Sequence, residues 1–187
     1  MAATIIINRL TGAGPTLTAI TSANTRLKQA DNGTTDANNP IPAVGTFNAT
    51  PGSGSAAVSC WCNTRLQCTV APSNNVTNLR WYADGANSLG TGINVKGNTA
   101  TAYVQSPTTN LTQGASGELR SANYATLTAE VVDVFTFTSG SPKSVAGSTS
   151  TAVEFGDRFV FQMIVDSSAS PGTTPVAETA TWQYDET

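Results

Sequence analysis

The sequence contains no histidine. That absence removes the commonest general base, the Ser-His-acid triad, the Cys-His pair and most zinc sites together. Charge is scarce as well. Asp, Glu, Lys and Arg make up 11% of the 187 residues, against roughly 25% in an ordinary soluble domain. A free monomer keeps charge on its surface for solubility, so a chain this poor in charge is expected to be covered by neighbours over much of its surface. No apolar run exceeds three residues, Ile5-Ile6-Ile7 being one of that length. Such runs are too short for a transmembrane helix or the core of an export signal. The expectation is a protein made in the cytoplasm with no membrane partner. The nine Lys and Arg residues are spread without a cluster and the net charge is −3, which argues against a nucleic-acid surface.

Helical periodicity is also missing. In its place stand short runs of Thr, Val, Ile and aromatics, cut by Gly, Pro, Asn and Ser clusters. This patterning predicts an all-β chain, with an antiparallel body of β-sandwich or jelly-roll type. The length suits one domain with a core large enough to fold without disulfides or metals.

The clearest strand is predicted over residues 58–70. Alternation puts Val58, Cys60, Cys62, Thr64, Leu66, Cys68 and Val70 on the core face, and Trp61 outside, against a loop or another subunit. A second strand over 76–83 ends at the turn signal Asp84-Gly85. Pro72-Ser73-Asn74-Asn75 between the two predicts an antiparallel hairpin. Weaker strands are expected at 91–97 and 100–105, loops at 106–118 and 139–150, and one long strand within 124–137. The nearly continuous apolar stretch 158–165 reads as a central strand. The last strand, 177–185, carries Trp182 and Tyr184 on one face. Residues 1–55 read as an N-terminal arm or peripheral hairpin with short strands at 4–9, 16–20 and 25–29, leading to a sandwich body over 56–187. Polar loops of this length are ordered only where something holds them, and contact with neighbouring subunits is the simplest holder.

Residues that could carry chemistry have plainer readings. Cys60, Cys62 and Cys68 share parity, so they are expected in the core as small, reduced hydrophobes. Residues two apart on a strand are badly placed for a disulfide, and no fourth Cys or His ligand exists for zinc. Twelve scattered carboxylates carry no glycosidase signature and read as solvated charges at turns and strand ends. The Asn/Asp-rich residues 31–39 offer oxygen ligands but lack EF-hand spacing, so a turn is expected rather than a calcium site. Trp61, Trp81, Tyr82, Tyr103, Trp182 and Tyr184 could form a sugar-stacking platform, although such residues more often fill a core or an interface. No catalytic residue, cofactor or metal is assigned. Trp61, Trp81, Tyr82, Trp182 and Tyr184 are the candidate interface or core aromatics.

The stretch Leu79-Arg80-Trp81-Tyr82-Ala83-Asp84-Gly85-Ala86-Asn87-Ser88-Leu89-Gly90-Thr91-Gly92 resembles a segment of tailed-bacteriophage virion proteins. The same holds for Ala169-Ser170-Pro171-Gly172-Thr173-Thr174-Pro175 and for Thr181-Trp182-Gln183-Tyr184-Asp185-Glu186. With the strand over 60–68, the resemblance spans about two thirds of the chain. It implies a non-enzymatic accessory structural protein located in the virion. Its partners would be other virion proteins, namely the major capsid protein or neck and tail proteins, and further copies of itself. A compact body with a short arm favours capsid decoration over a neck, tail or baseplate component. The rival from another class is a carbohydrate-binding module that uses the aromatic set.

Overall fold

The computed structural model describes residues 2–20, 27–33, 39–170 and 177–187. The fold is nearly all β, with two antiparallel sheets packed as a sandwich. The larger sheet runs in the order β2 (Thr16–Ala19), β1 (Thr4–Thr11), β4 (Cys62–Val70), β9 (Glu154–Val165), β6 (Ile93–Ala100) and β7 (Val132–Asp133), and β3 (Ala57–Val58) also pairs with β9. The smaller sheet is β10 (Ala180–Glu186), β5 (Val76–Ala83) and β8 (Lys143–Ser144).

Burial on both sides explains why β9 reads as a continuous apolar run. Phe155, Phe159, Phe161 and Met163 face the smaller sheet, where Leu79, Trp81, Phe135 and Val145 meet them. Val160 and Ile164 face the other way, beneath a layer of loops. That loop layer consists mainly of residues 45–56 and 101–131, which lie over the outer face of the larger sheet instead of leaving it to solvent. Nearly continuous apolar strands are what a sheet covered on both faces requires.

Several expectations are met closely. The strand over 76–83 forms with those bounds, 158–165 is central within β9, and Trp182 and Tyr184 both pack towards the sandwich core. The N-terminal hairpin forms at the margin of the larger sheet, with β1 hydrogen-bonded along β4 from Thr4 to Leu10. Leu10 is buried there, so this hairpin is part of the sandwich layer. Of the strand expected at 25–29, residues 27–29 are irregular and 25–26 lie outside the described residues.

Other expectations need correction. The strands over 58–70 and 76–83 make no hairpin: β4 lies in one sheet and β5 in the other. Both edges of β4 are already taken, by β1 and β9, so the chain crosses between sheets at 71–75. The segment 58–70 is interrupted at 59–61. As a result Cys62 and Cys68 keep the predicted face, while Val58 and Cys60 pack on the opposite one with Ile164 and Leu111. All three cysteines are buried and reduced, whereas Val70 is exposed at the strand end. The strand expected at 91–97 is β6, whereas the one expected at 100–105 is irregular beyond Ala100.

The long strand expected within 124–137 reduces to β7 and a 3-10 turn, Val134–Thr136. Tyr124, Leu127 and Val131 are apolar because they press down on Trp61, Ala100 and Val160. Their composition reports burial, which a loop can satisfy as well as a strand.

Candidate functional site

The buried polar side chains are concentrated between the larger sheet and its loop layer. Glu118, 2% exposed, accepts the Gly52 N–H at 3.1 and 3.0 Å through its two oxygens. Its Oε2 also accepts the Gly114 N–H at 2.8 Å, and the Arg120 Nε lies 4.0 Å away. Gln113 grips the strap at residues 46–52 that contains Gly52. Its Oε1 accepts the Asn48 N–H at 3.2 Å and its Nε2 donates to the Asn48 carbonyl at 3.0 Å. Lys96 rises from β6 to donate to the carbonyls of Asn48 and Ala49, with its ammonium 5.2 Å from the centre of the Phe47 ring. Burial pushes the Lys96 amine below its ordinary range, opposed by the carboxylates of Glu118, Glu130 and Asp133.

A second cluster fastens residues 101–124. The Trp61 indole donates to the Gly117 carbonyl at 2.9 Å, and its ring tilts against Tyr124 at 5.1 Å. Gln162 donates to the carbonyls of Ser59 and Gly117 and accepts the Leu119 N–H at 2.7 Å. The Tyr124 hydroxyl donates to Asn63 and accepts the Val104 N–H at 3.1 Å. Burial pushes that phenol up to about 12. In both clusters the polar groups are engaged mainly with main-chain N–H and C=O groups. In the second these belong to the buried residues Ser59, Gly117 and Leu119, whose backbone must be satisfied inside.

Glu118 therefore corrects the reading of the carboxylates as uniformly solvated. The chain's own side chains also fasten the long loops, within a single copy. A signal for this was present in the sequence. Gln162 is the single polar residue in Phe159-Val160-Phe161-Gln162-Met163-Ile164-Val165, and Glu118 is the only charge within 106–118. An isolated polar residue in such a setting has to find a partner inside.

The structure separates the aromatic set instead of gathering it. Trp61 is buried under the loop layer, where the sequence placed it against a loop or a subunit. Trp81 lies in the sandwich, stacked 3.7 Å from Phe159. Trp182 and Tyr184 border that core from β10, and Tyr82 is half-buried. Tyr103 donates to the Gly12 carbonyl at 2.8 Å. With Trp61 and Trp81 on opposite sides of the larger sheet, the set forms no common stacking surface.

Asp31 accepts the Gly12 N–H at 3.0 Å. Burial raises its carboxyl above the ordinary range, opposed by that bond and by Arg9. Residues 34–38 of the Asn/Asp-rich stretch lie outside the described residues, and among the described residues no three Cys, Asp or Glu side chains converge as a metal site. A surface depression of about 280 Å3 is bordered by Gln29, Pro42, Val44 and Thr109, and one of about 180 Å3 by Leu89, Thr91 and Ile93. Neither is lined by an ionisable side chain.

Fold and fastenings together define an all-β sandwich with a third layer of pinned loops. Comparison with protein-family models, curated proteins and solved structures returns no match.

Proposed function

We propose that this chain is a non-enzymatic structural subunit of a virus particle, in the role of a capsid decoration protein that packs on neighbouring subunits. The observation that carries the reading is the poverty of charge at the surface. The composition holds only 11% charged residues, and Arg9, Lys28, Lys96 and Glu118 are taken out of the surface by burial. Depletion of charge is the compositional mark of surfaces that neighbours cover. Pinned loops suit the same role, because a subunit that docks through rigid loops loses little conformational freedom on assembly. The virion as the place of assembly rests on the sequence resemblance around residues 79–92 and 169–186.

The test is quantitative mass spectrometry of purified particles. Copies on the order of hundreds per particle fit decoration, because closed shells repeat their subunits by symmetry. About a dozen or fewer would move the protein to the neck or tail. Complete absence from particles, with tryptophan fluorescence quenched by an oligosaccharide, would instead make it a sugar-binding module.

A further inference from the structure

The sheet margins are unequal. Among the described residues, β2 has four residues, β7 two and β8 two, while β10 has seven. Natural edges are blunted by shortness, proline or lysine. β10, Ala-Thr-Trp-Gln-Tyr-Asp-Glu, has none of these, and its charges, Asp185 and Glu186, are confined to its last two residues.

Among the described residues, the hydrogen-bond pattern fixes which of its main-chain groups are open. Val145 donates to Leu79, and Ala83 donates to Phe137. The β5–β10 register shifts at a bulge between Gln183 and Asp185, and beyond it the odd residues of β5 therefore point away from β10, while Arg80 and Tyr82 point towards it. Their partners are Gln183 and Thr181. Thr187 and Asn75 exchange both bonds at the far end. It follows from the alternation of antiparallel pairing that Ala180, Trp182, Tyr184 and Glu186 present their N–H and C=O groups outward. The Trp182 indole N–H, buried without an acceptor, lies in the same strand.

We propose that this edge pairs with the β10 edge of a second copy, antiparallel and about a two-fold axis at Gln183. The proposal deepens the assembly reading above and rests on it. In that register Trp182 faces the other copy's Tyr184, and Ala180 faces Glu186, so all four open residues exchange bonds. Self-complementarity of the register favours a second copy, since all four outward residues meet each other and like charges are kept apart. Asp185 falls opposite a threonine hydroxyl, at Thr181, and Glu186 opposite an alanine, so no carboxylate faces another. Asp185 is also neutralised within its own subunit by Arg80 at 2.5 Å. The product is a continuous six-stranded sheet running β8-β5-β10 and then back through the other copy.

Gln183 provides the test, because its side chain is exposed and lies on the axis. Two residues at a non-hydrogen-bonded antiparallel position have Cα atoms roughly 4.5 Å apart, within disulfide reach. In the full-length chain, mild oxidation of Gln183→Cys is expected to give a covalent dimer, and Thr181→Cys is expected to give none. The buried native cysteines do not compete. In sedimentation velocity, Gln183→Lys is expected to weaken the dimer by about tenfold or more, and Ala180→Pro, which removes one outward N–H, is expected to weaken it too. A dimer that survives both substitutions, or a Gln183→Cys chain that does not cross-link, overturns the edge pairing. Particle copy number is read separately, so the assembly reading can stand when this proposal falls. Protection of the Trp182 and Tyr184 amides in particles, without cross-linking at Gln183, would assign the edge to a different protein's strand and overturn the proposal as well.

Discussion

Glu118 is the residue on which the loop layer depends most directly. Its carboxylate holds two glycine N–H groups from different loops, at Gly52 and Gly114. Both glycines are exposed, so water can reach their N–H groups once the carboxylate is gone. Glu118→Ala is expected to destabilise the fold by about 2 kcal/mol in urea unfolding, the loss of charge-assisted hydrogen bonds. Exposed Glu130, which binds Ser121, provides the contrast: Glu130→Ala is expected to cost less than about 1 kcal/mol.

The buried thiols set a pH dependence at the same scale. Burial raises Cys60 and Cys62 above the ordinary value of 9.0. Between that value and the raised one, the unfolded chain has released protons that the folded chain still binds, so stability falls as pH rises. Tyr103 and Tyr124, also raised by burial, add to the loss from about pH 10 upwards. Lys96 acts in the opposite sense. Its amine is lowered from 10.5, so between the lowered value and 10.5 the unfolded chain holds the extra proton and stability rises with pH. Two thiols and two phenols outweigh one amine, and a net fall above about pH 9 is expected. Urea midpoints measured across this range check it, and Cys60→Ala with Cys62→Ala should flatten the first part of the fall. A midpoint that climbs with pH would show that Lys96 dominates.

At the scale of elements, the bulge in β5 is the feature that aligns β10. Asn78 adopts φ 52°, the left-handed conformation that asparagine tolerates better than most residues. Its amide donates to Asp185 at 2.8 Å, beside the Arg80 contact. Asn78→Gly keeps the conformation and is expected to cost about 1 kcal/mol for the lost bond. Asn78→Val adds backbone strain and should cost about 3 kcal/mol. Equal losses in the two variants, measured by thermal unfolding, would show that the conformation does not matter.

Strand 76–83 was legible in the sequence because alternating side chains and a flanking Asp-Gly turn agree there. β9 was legible because an unbroken apolar run has few other uses. The failure at 124–137 has a physical cause: Tyr124, Leu127 and Val131 are buried one by one against Trp61, Ala100 and Val160, and no local pattern distinguishes a pinned loop from a strand. The absent β4–β5 hairpin failed for a different reason. Turn chemistry at 72–75 specifies a reversal but not the sheet in which the next strand lands, and that depends on which edges distant strands have filled. The fastening residues were hidden for the same reason. Glu118, Gln113 and Lys96 meet a strap at residues 46–52 that lies far from them in sequence, and that juxtaposition belongs to the topology.

At the scale of the whole molecule, β9 ties the layers into one cooperative body. Its Phe159 and Phe161 belong to the sandwich core, while Val160 and Ile164 hold the loop layer. Neither layer can leave without exposing one face of this strand. Its partners β3 and β4 lie far away in sequence, a topology that gives folding times of about milliseconds to seconds. The two buried tryptophans report the layers separately, Trp61 under the loops and Trp81 between the sheets. With Trp182→Phe in the background, a Trp81→Phe chain reads the loop layer and a Trp61→Phe chain reads the sandwich. In each chain the urea transition seen by fluorescence is expected to coincide with that seen by far-ultraviolet circular dichroism. If the Trp61 signal were lost at lower urea than the dichroism of the same chain, the loops would be a separately melting unit. They could then not serve as the rigid docking surface on which the proposed role depends.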